Sequence, residues 1–306
     1  MTRKNRISKR KLKPSSKGRA MDPALLREFD KILRRNVNVT LLGMRGKWGK
    51  IVLNADDLFK MLPRYKNNPA ERIRLGPLLY PIAAKFTDDI YKVLLAAPVK
   101  KARDTVVFTA GGSATGKSTI LRAVGRSSGV DFIMDTTFSK IDRAILQVER
   151  ALASGRKVDI HYVYRDFSKS VKGMVRRALD PKSGRSVPID VMAETHYGSQ
   201  RAMLYASMQY QDNAMVSFKF YLNDEKKVKE IKLEEFYRLL HGCVDKLKKI
   251  GQNILDELLE NQGRRRSDAG KNQNPRREDL HISREFYEAN RSETQTRGKR
   301  PIKIDA

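Results

Sequence analysis

The chain is short of several things, and each shortage excludes something. Of its 306 residues one is cysteine, Cys243, so no disulfide can form within it and a reducing compartment is expected. Four histidines and that one cysteine show no spacing of a transition-metal site. No apolar run approaches the roughly 20 residues that a membrane span needs. The basic amino terminus has no apolar core segment after it, so it does not read as a secretory signal, and a cytoplasmic protein is expected. No internal repeat is visible. Acid is also scarce: 35 Asp and Glu stand against 63 Lys and Arg, a formal net charge of +28.

Part of that charge sits in two arms. Residues 1–20 carry nine Lys or Arg and no acid, without apolar periodicity, and read as a disordered basic arm. Residues 261–306 hold twelve bases against seven acids and few large apolar groups, and read as a second, mostly disordered tail. The body between them is basic as well. Such charge attracts polyanions without sequence preference. No recognition helix, zinc-ligand spacing or aromatic-basic sheet motif accompanies it, so a specific nucleic-acid reader is not indicated.

What the chain does have is Thr105-Val-Val-Phe-Thr-Ala-Gly-Gly-Ser-Ala-Thr-Gly-Lys-Ser-Thr119. An apolar strand pattern runs into Gly-x-x-x-x-Gly-Lys-Ser, and a helical pattern starts directly after it. This is the strand–loop–helix setting of a P-loop. Gly111, Gly112, Ser113, Ala114, Thr115, Gly116, Lys117, Ser118 and Thr119 would cradle the phosphates of ATP through inward-turned N–H groups. The positive end of the following helix adds to that field. Lys117 would reach the β- and γ-phosphates, and the Ser118 hydroxyl would ligate Mg²⁺.

Periodicity places other elements around the motif. Helices are expected near residues 22–33, 55–63, 81–97, 139–153, 169–179 and 193–209, and a long one from Ile231 to Leu259. Strands are expected at 50–54, 130–135, 157–164 and 216–222. The alternation predicts an α/β fold, a doubly wound, mostly parallel sheet of the P-loop kinase type with helical amino- and carboxyl-terminal extensions. Ligands then bind at the carboxyl ends of the strands. The organisation expected is a basic arm at 1–20, a helical region with one strand at 21–103, a kinase core at 104–224, a helix at 225–260 and the basic tail.

Acids at strand ends are the next signal. Asp135 closes one apolar strand and is a candidate to position Mg²⁺ or orient an acceptor, or else a capping acid. Asp56 follows the strand at 50–54 in the same way and is a candidate general base, or again a cap. Arg165 immediately follows the third strand, with Arg176 and Arg177 on the next helix. Guanidinium groups there could neutralise charge on a transferred phosphoryl group, or simply be solvated. His196, in Glu194-Thr-His-Tyr197, reads more readily as structural than catalytic.

Several of these segments together resemble a family. Asp135-Thr-Thr-Phe-Ser139 is similar to the Glu-Thr-Thr-Leu-Ser element of zeta-toxin-like P-loop kinases. Gly184-Arg-Ser-Val-Pro188 resembles the family's segment before its lid helix, and Phe220-Tyr-Leu-Asn-Asp224 its late strand. The resemblance implies transfer of the ATP γ-phosphate, with Mg²⁺, to a hydroxyl of a small acceptor, in the best-known cases a UDP-N-acetylsugar. It also implies a toxin restrained by an antitoxin protein. Two departures stand out. The family's strand and Asn-x-Asp base between the P-loop helix and the Glu-Thr-Thr strand are missing, and Leu53-Asn-Ala-Asp-Asp-Leu58 upstream looks like that segment. The arginine-rich lid is replaced by Ala193-Glu-Thr-His196. Two other readings remain open: a nucleic-acid-associated P-loop ATPase, and an inactive nucleotide-binding scaffold.

Overall fold

The structure, a computed structural model, describes residues 23–35, 50–99, 101–180, 186–224, 227–240, 249–250, 252–254 and 256. Both basic arms lie outside these residues. Five strands run parallel: β1 (Ile51–Leu53), β2 (Thr105–Ala110), β3 (Val130–Asp135), β4 (Lys157–Tyr164) and β5 (Val216–Asn223). A sixth, β6 (Val228–Ile231), returns antiparallel to β5, and the order across the sheet is β1-β3-β2-β4-β5-β6.

The helices divide between the two faces. These are α1 (Pro23–Arg35), α2 (Ala55–Leu58), α3 (Pro63–Asn67), α4 (Pro69–Ala96), α5 (Lys117–Val124), α6 (Ile141–Ala153), α7 (Phe167–Leu179), α8 (Ile189–Gln209) and α9 (Leu233–Arg238). Strand side chains alternate between faces. Phe108, Phe132, Ile160 and Tyr162 point to one side, where α1, α4, α6 and α8 cover them in the main core. Val107 and Ile133 point to the other and meet Leu121 of α5. A satellite core joins α7 to α8 through Val171, Met174, Ile189 and Met192.

Strand pairing places the upstream strand in the sheet. β1, which precedes the P-loop strand in the chain, lies beside β3 with Leu53 opposite Met134. The sheet therefore gains a parallel edge strand from upstream. The turn after β1 reaches the same carboxyl edge as the loop after β2.

Two expectations about helices need correction. The helix expected from Pro81 begins at Pro69 and runs 28 residues, with Pro77 and Pro81 inside it. Prolines normally interrupt a helix, which hid its first turns. Asp88 sits mid-helix and pairs with Lys92 and Arg150. The single helix expected from Ile231 to Leu259 is interrupted: its start is a strand residue and a short helix, and residues 249–250, 252–254 and 256 are helical again. Ile231 ends β6, and α9 stops at Arg238. Ile231, where the expected helix began, lies in β6, while Phe236 of the stripe lies in α9. Phe236 of α9 stacks on Phe220 at 4.9 Å and meets Tyr162 edge-on at 5.0 Å.

The amino edge of the sheet is tied shut. Arg156, 1% exposed, donates to the carbonyls of Leu94, Leu95 and Ala97 at the end of α4, and also to Ser154 Oγ and Asp131 Oδ2. Lys50, also buried, donates to the Val130 carbonyl at 2.7 Å. Among the described residues no helix is long and apolar enough to cross a membrane.

Candidate active site

The loop between β2 and α5 has the backbone that its glycines permit. Gly111 has φ +132°, and a Cβ there would lie 2.4 Å from the Val163 carbonyl oxygen. Gly116 has φ +98°, and a Cβ would lie 2.2 Å from Asn223 Nδ2. No L side chain satisfies either position. Ala114 also has a positive φ, +60°, at a modest steric cost. Its carbonyl accepts from Arg165 Nη1 at 3.1 Å, and the next carbonyl, of Thr115, accepts from Asn223 Nδ2 at 2.8 Å. The loop is thus held from behind by the ends of β4 and β5.

Lys117 Nζ donates to the Gly111 and Gly112 carbonyls at 2.9 and 3.0 Å. The ammonium therefore lies across the loop it belongs to. Ser118 and Thr119 are exposed in the first turn of α5, beside it. Asp135 ends β3, next to β2 in the sheet. Its Oδ1 accepts from Thr109 Oγ1 at 2.7 Å and its Oδ2 from Asn54 Nδ2 at 2.8 Å. Burial raises the Asp135 carboxyl above its ordinary value. The charge of Lys117 and the Thr109 hydroxyl oppose that rise, and the charges of Asp56 and Asp57 reinforce it.

Asn54 links the upstream segment to this acid. Its amide donates to Asp135, while its oxygen caps α2 by accepting from the Asp56 N–H at 2.9 Å. Asp56 is half-buried at the start of α2, and Asp57, exposed, pairs with Lys60. Asp56 and Lys117 both act electrostatically on Asp135, so the three charged groups occupy one edge of the sheet. The hydroxyl of Tyr80 on α4 also feels the Asp56 charge, although burial is the main cause of its raised value.

The arginines separate. Arg165 touches the loop. Arg176, exposed, and Arg177, half-buried, lie in the last turn of α7, about 15 Å along the axis from its start at 1.5 Å per residue. His196 is 1% exposed and packs on Gly112. Among the described residues no group of three or more His, Cys, Asp or Glu could hold a metal ion. Two surface grooves lie elsewhere: one of about 360 Å³ between α1 and α4, and one of about 440 Å³ between α4 and α6, with Tyr80 and Arg143 in its wall.

With this geometry, residues 125–226 match the family model described as Zeta toxin. This segment is zeta-toxin-like. The match starts after the P-loop and after α5, so β1, Asp56 and the phosphate loop lie outside it. Curated proteins yield no match. Solved structures similar to the chain include AvrRxo1-ORF1:AvrRxo1-ORF2 with sulphate ions, at TM-score 0.41 and 11% identity over 68% of this chain and 66% of that one. The same complex with ATP gives 0.38 and 14% over 57% and 70%. The PezAT chromosomal toxin–antitoxin system of Streptococcus pneumoniae gives 0.37 and 12% over 76% and 82%. The chain thus spans just under two thirds of the first of these. The mostly parallel sheet with helices on both faces is the P-loop kinase-like architecture expected around the zeta-toxin-like segment.

Sequence reasoning found the loop and both acids but did not assign Thr109 or Asn223, and gave Asn54 no role of its own. Asn54 and Asn223 stood inside quoted motifs, where their position at strand ends was the available signal. Nothing in the sequence marked Thr109, whose part depends on β2 lying beside β3.

Proposed function

We propose that the protein is an ATP-dependent phosphotransferase of the zeta-toxin type, moving the γ-phosphate to a hydroxyl of a small acceptor. The observation that carries this reading is the meeting of Lys117, Asp135 and the Asp56 segment at one carboxyl edge of the sheet. On binding ATP, Lys117 would leave the Gly111 and Gly112 carbonyls for the phosphate oxygens, and loop N–H groups and the α5 terminus would share the charge. Asp56 would accept the acceptor's proton as its oxygen bonds to the γ-phosphorus and ADP departs. Arg165 would hold the loop and be the better placed of the three arginines to offset developing charge.

The donor set suits Mg²⁺. The Ser118 hydroxyl and an Asp135 oxygen are hard ligands, and Mg²⁺ typically takes only one or two protein groups beside phosphate and water. A cation there would relieve the cost of keeping Asp135 ionised in a buried place. When bound, Mg²⁺ supplies charge neutralisation to the phosphates. The α4–α6 groove includes Tyr80, which feels the Asp56 charge, and although Asp88 also lines it and pairs with Arg150, Lys85 and Arg143 in its wall suit an anionic acceptor. A nucleotide-sugar belongs to that class. The AvrRxo1-ORF1:-ORF2 and PezAT assemblies named above motivate an antitoxin partner as a further part of the proposal.

Incubation with γ-labelled ATP, Mg²⁺ and a metabolite extract tests the reading. A labelled small molecule is expected. The net charge of +28 favours a second reading, a polyanion-associated ATPase. Release of label solely as inorganic phosphate, accelerated by DNA or RNA, would establish that reading in its place.

A further inference from the structure

One turn of α8 touches both loops of the site. An ideal Cβ on Gly112 would lie 2.8 Å from His196 Nδ1 and 2.9 Å from its Cα. The P-loop backbone therefore rests directly on this residue. Beside it, Ser113 Oγ and Thr195 Oγ1 are 3.4 Å apart. Two residues further on, a Cβ on Gly198 would lie 2.2 Å from the Ser139 carbonyl oxygen, in the loop that follows Asp135. The turn is itself fixed to the sheet. The His196 ring packs between Tyr164, at 6.0 Å, and Phe167, at 5.3 Å. Ser199 Oγ donates to the His196 carbonyl and lies 3.5 Å from the Tyr162 hydroxyl. The two loops also join each other, through the Gly111 N–H and the Thr137 carbonyl.

We propose that the Thr195–Ser199 turn is a fixed buttress that sets the shape of the P-loop, with His196 as the positioning residue, and is not a lid that closes on the phosphates. Its place in the chain is where the resembling family carries lid arginines. Here the corresponding histidine is inside the protein, behind the loop. Its ring acts by filling space under Gly112, so shape matters more than protonation. A close-packed interior transmits such a contact stiffly.

The test uses the full chain, four single variants, His196→Ala, His196→Phe, Gly112→Ala and Met203→Ala, and the double variant His196→Ala with Gly112→Ala. Met203 is fully buried on the same helix, in the main core. Two readouts serve: amide hydrogen exchange at the P-loop without ligand, and calorimetry with ATP·Mg²⁺. His196→Ala should speed exchange at the loop amides by about tenfold or more. It should also weaken ATP by about tenfold or more, since small misplacements of a binding loop are costly. His196→Phe should retain most of the affinity. Gly112→Ala should weaken ATP, and combining it with His196→Ala should cost less than the two losses multiplied, because one clashing atom is gone. Met203→Ala should lower the melting temperature and leave loop exchange and affinity unchanged. Wild-type exchange and affinity in His196→Ala, or equal losses in Met203→Ala, would overturn the buttress. This inference rests on the loop being a nucleotide site. A wild-type protein that binds no ATP would overturn the proposed function, while the exchange measurement would still decide the buttress.

Discussion

The two edges of the sheet each set a cation against backbone carbonyls, with opposite outcomes. At the amino edge Arg156 makes five hydrogen bonds and is 1% exposed. At the carboxyl edge Lys117 donates to two carbonyls of its own loop and remains half-buried. The first cation is saturated by three carbonyls at the end of α4 together with Ser154 and Asp131, so it fastens α4 to the sheet. The second bonds only carbonyls of its own loop, and the proposed function requires it to exchange them for phosphate oxygens. Charge on carbonyls is thus not by itself a sign of function. What matters is whether the partners can be given up.

This contrast can be broken by substitution, and Lys117→Ala should have the largest effect. It should abolish ATP-dependent turnover, because a preorganised charge at the reacting phosphates is lost, with the melting temperature little changed. Calorimetry with ATP·Mg²⁺ decides; wild-type binding would remove the loop from the site. Asp56→Asn comes next. Turnover should fall by about 10²–10⁴-fold, the usual worth of a positioned base, with ATP affinity held. A fully active variant would shift the role to Asp57 or Asp135.

At the opposite edge Arg156→Ala should do the reverse. It should cost roughly 3 kcal/mol in urea unfolding, because buried partners are left unmatched, and leave turnover per folded molecule intact. A variant as stable as wild type would show that the fastening is idle. The smallest effect concerns Asp135. Burial raises its folded-state value above the unfolded one, so the native state holds that proton more tightly. Its contribution is then best below the ordinary carboxylate range, worsens as pH rises through the raised value, and stays unfavourable above it. Asp135→Asn should therefore melt higher than wild type at neutral pH, and the gap should shrink as the medium is acidified. A gap that widens on acidification would mean that Lys117 and Thr109 outweigh burial.

Much of this edge was legible in the sequence, for local reasons. Gly111 to Thr119 declares itself because a phosphate loop needs its glycines and its lysine at fixed intervals. The upstream position of the β1 segment was legible too, from Asn54-x-Asp56 after an apolar stretch. That β1 pairs with β3 was not, since parallel pairing joins segments whose patterns carry no mutual register. The Arg156 fastening was invisible because its partners are carbonyls, which every residue has. Periodicity failed where the expected helix began on a strand residue, Ile231, and where Pro77 and Pro81 interrupted a helix that continues through them.

The link between Asn54 and Asp135 joins residues 81 positions apart, with the whole phosphate loop lying between them in the chain. A ribosome therefore releases β1 and the Asp56 segment first, the phosphate loop second and β3 last. Until β3 emerges, β1 has no parallel neighbour and Asn54 has no Asp135 to bond. A nascent chain thus carries the pieces of this edge before it has the edge itself, so the edge is assembled late in synthesis.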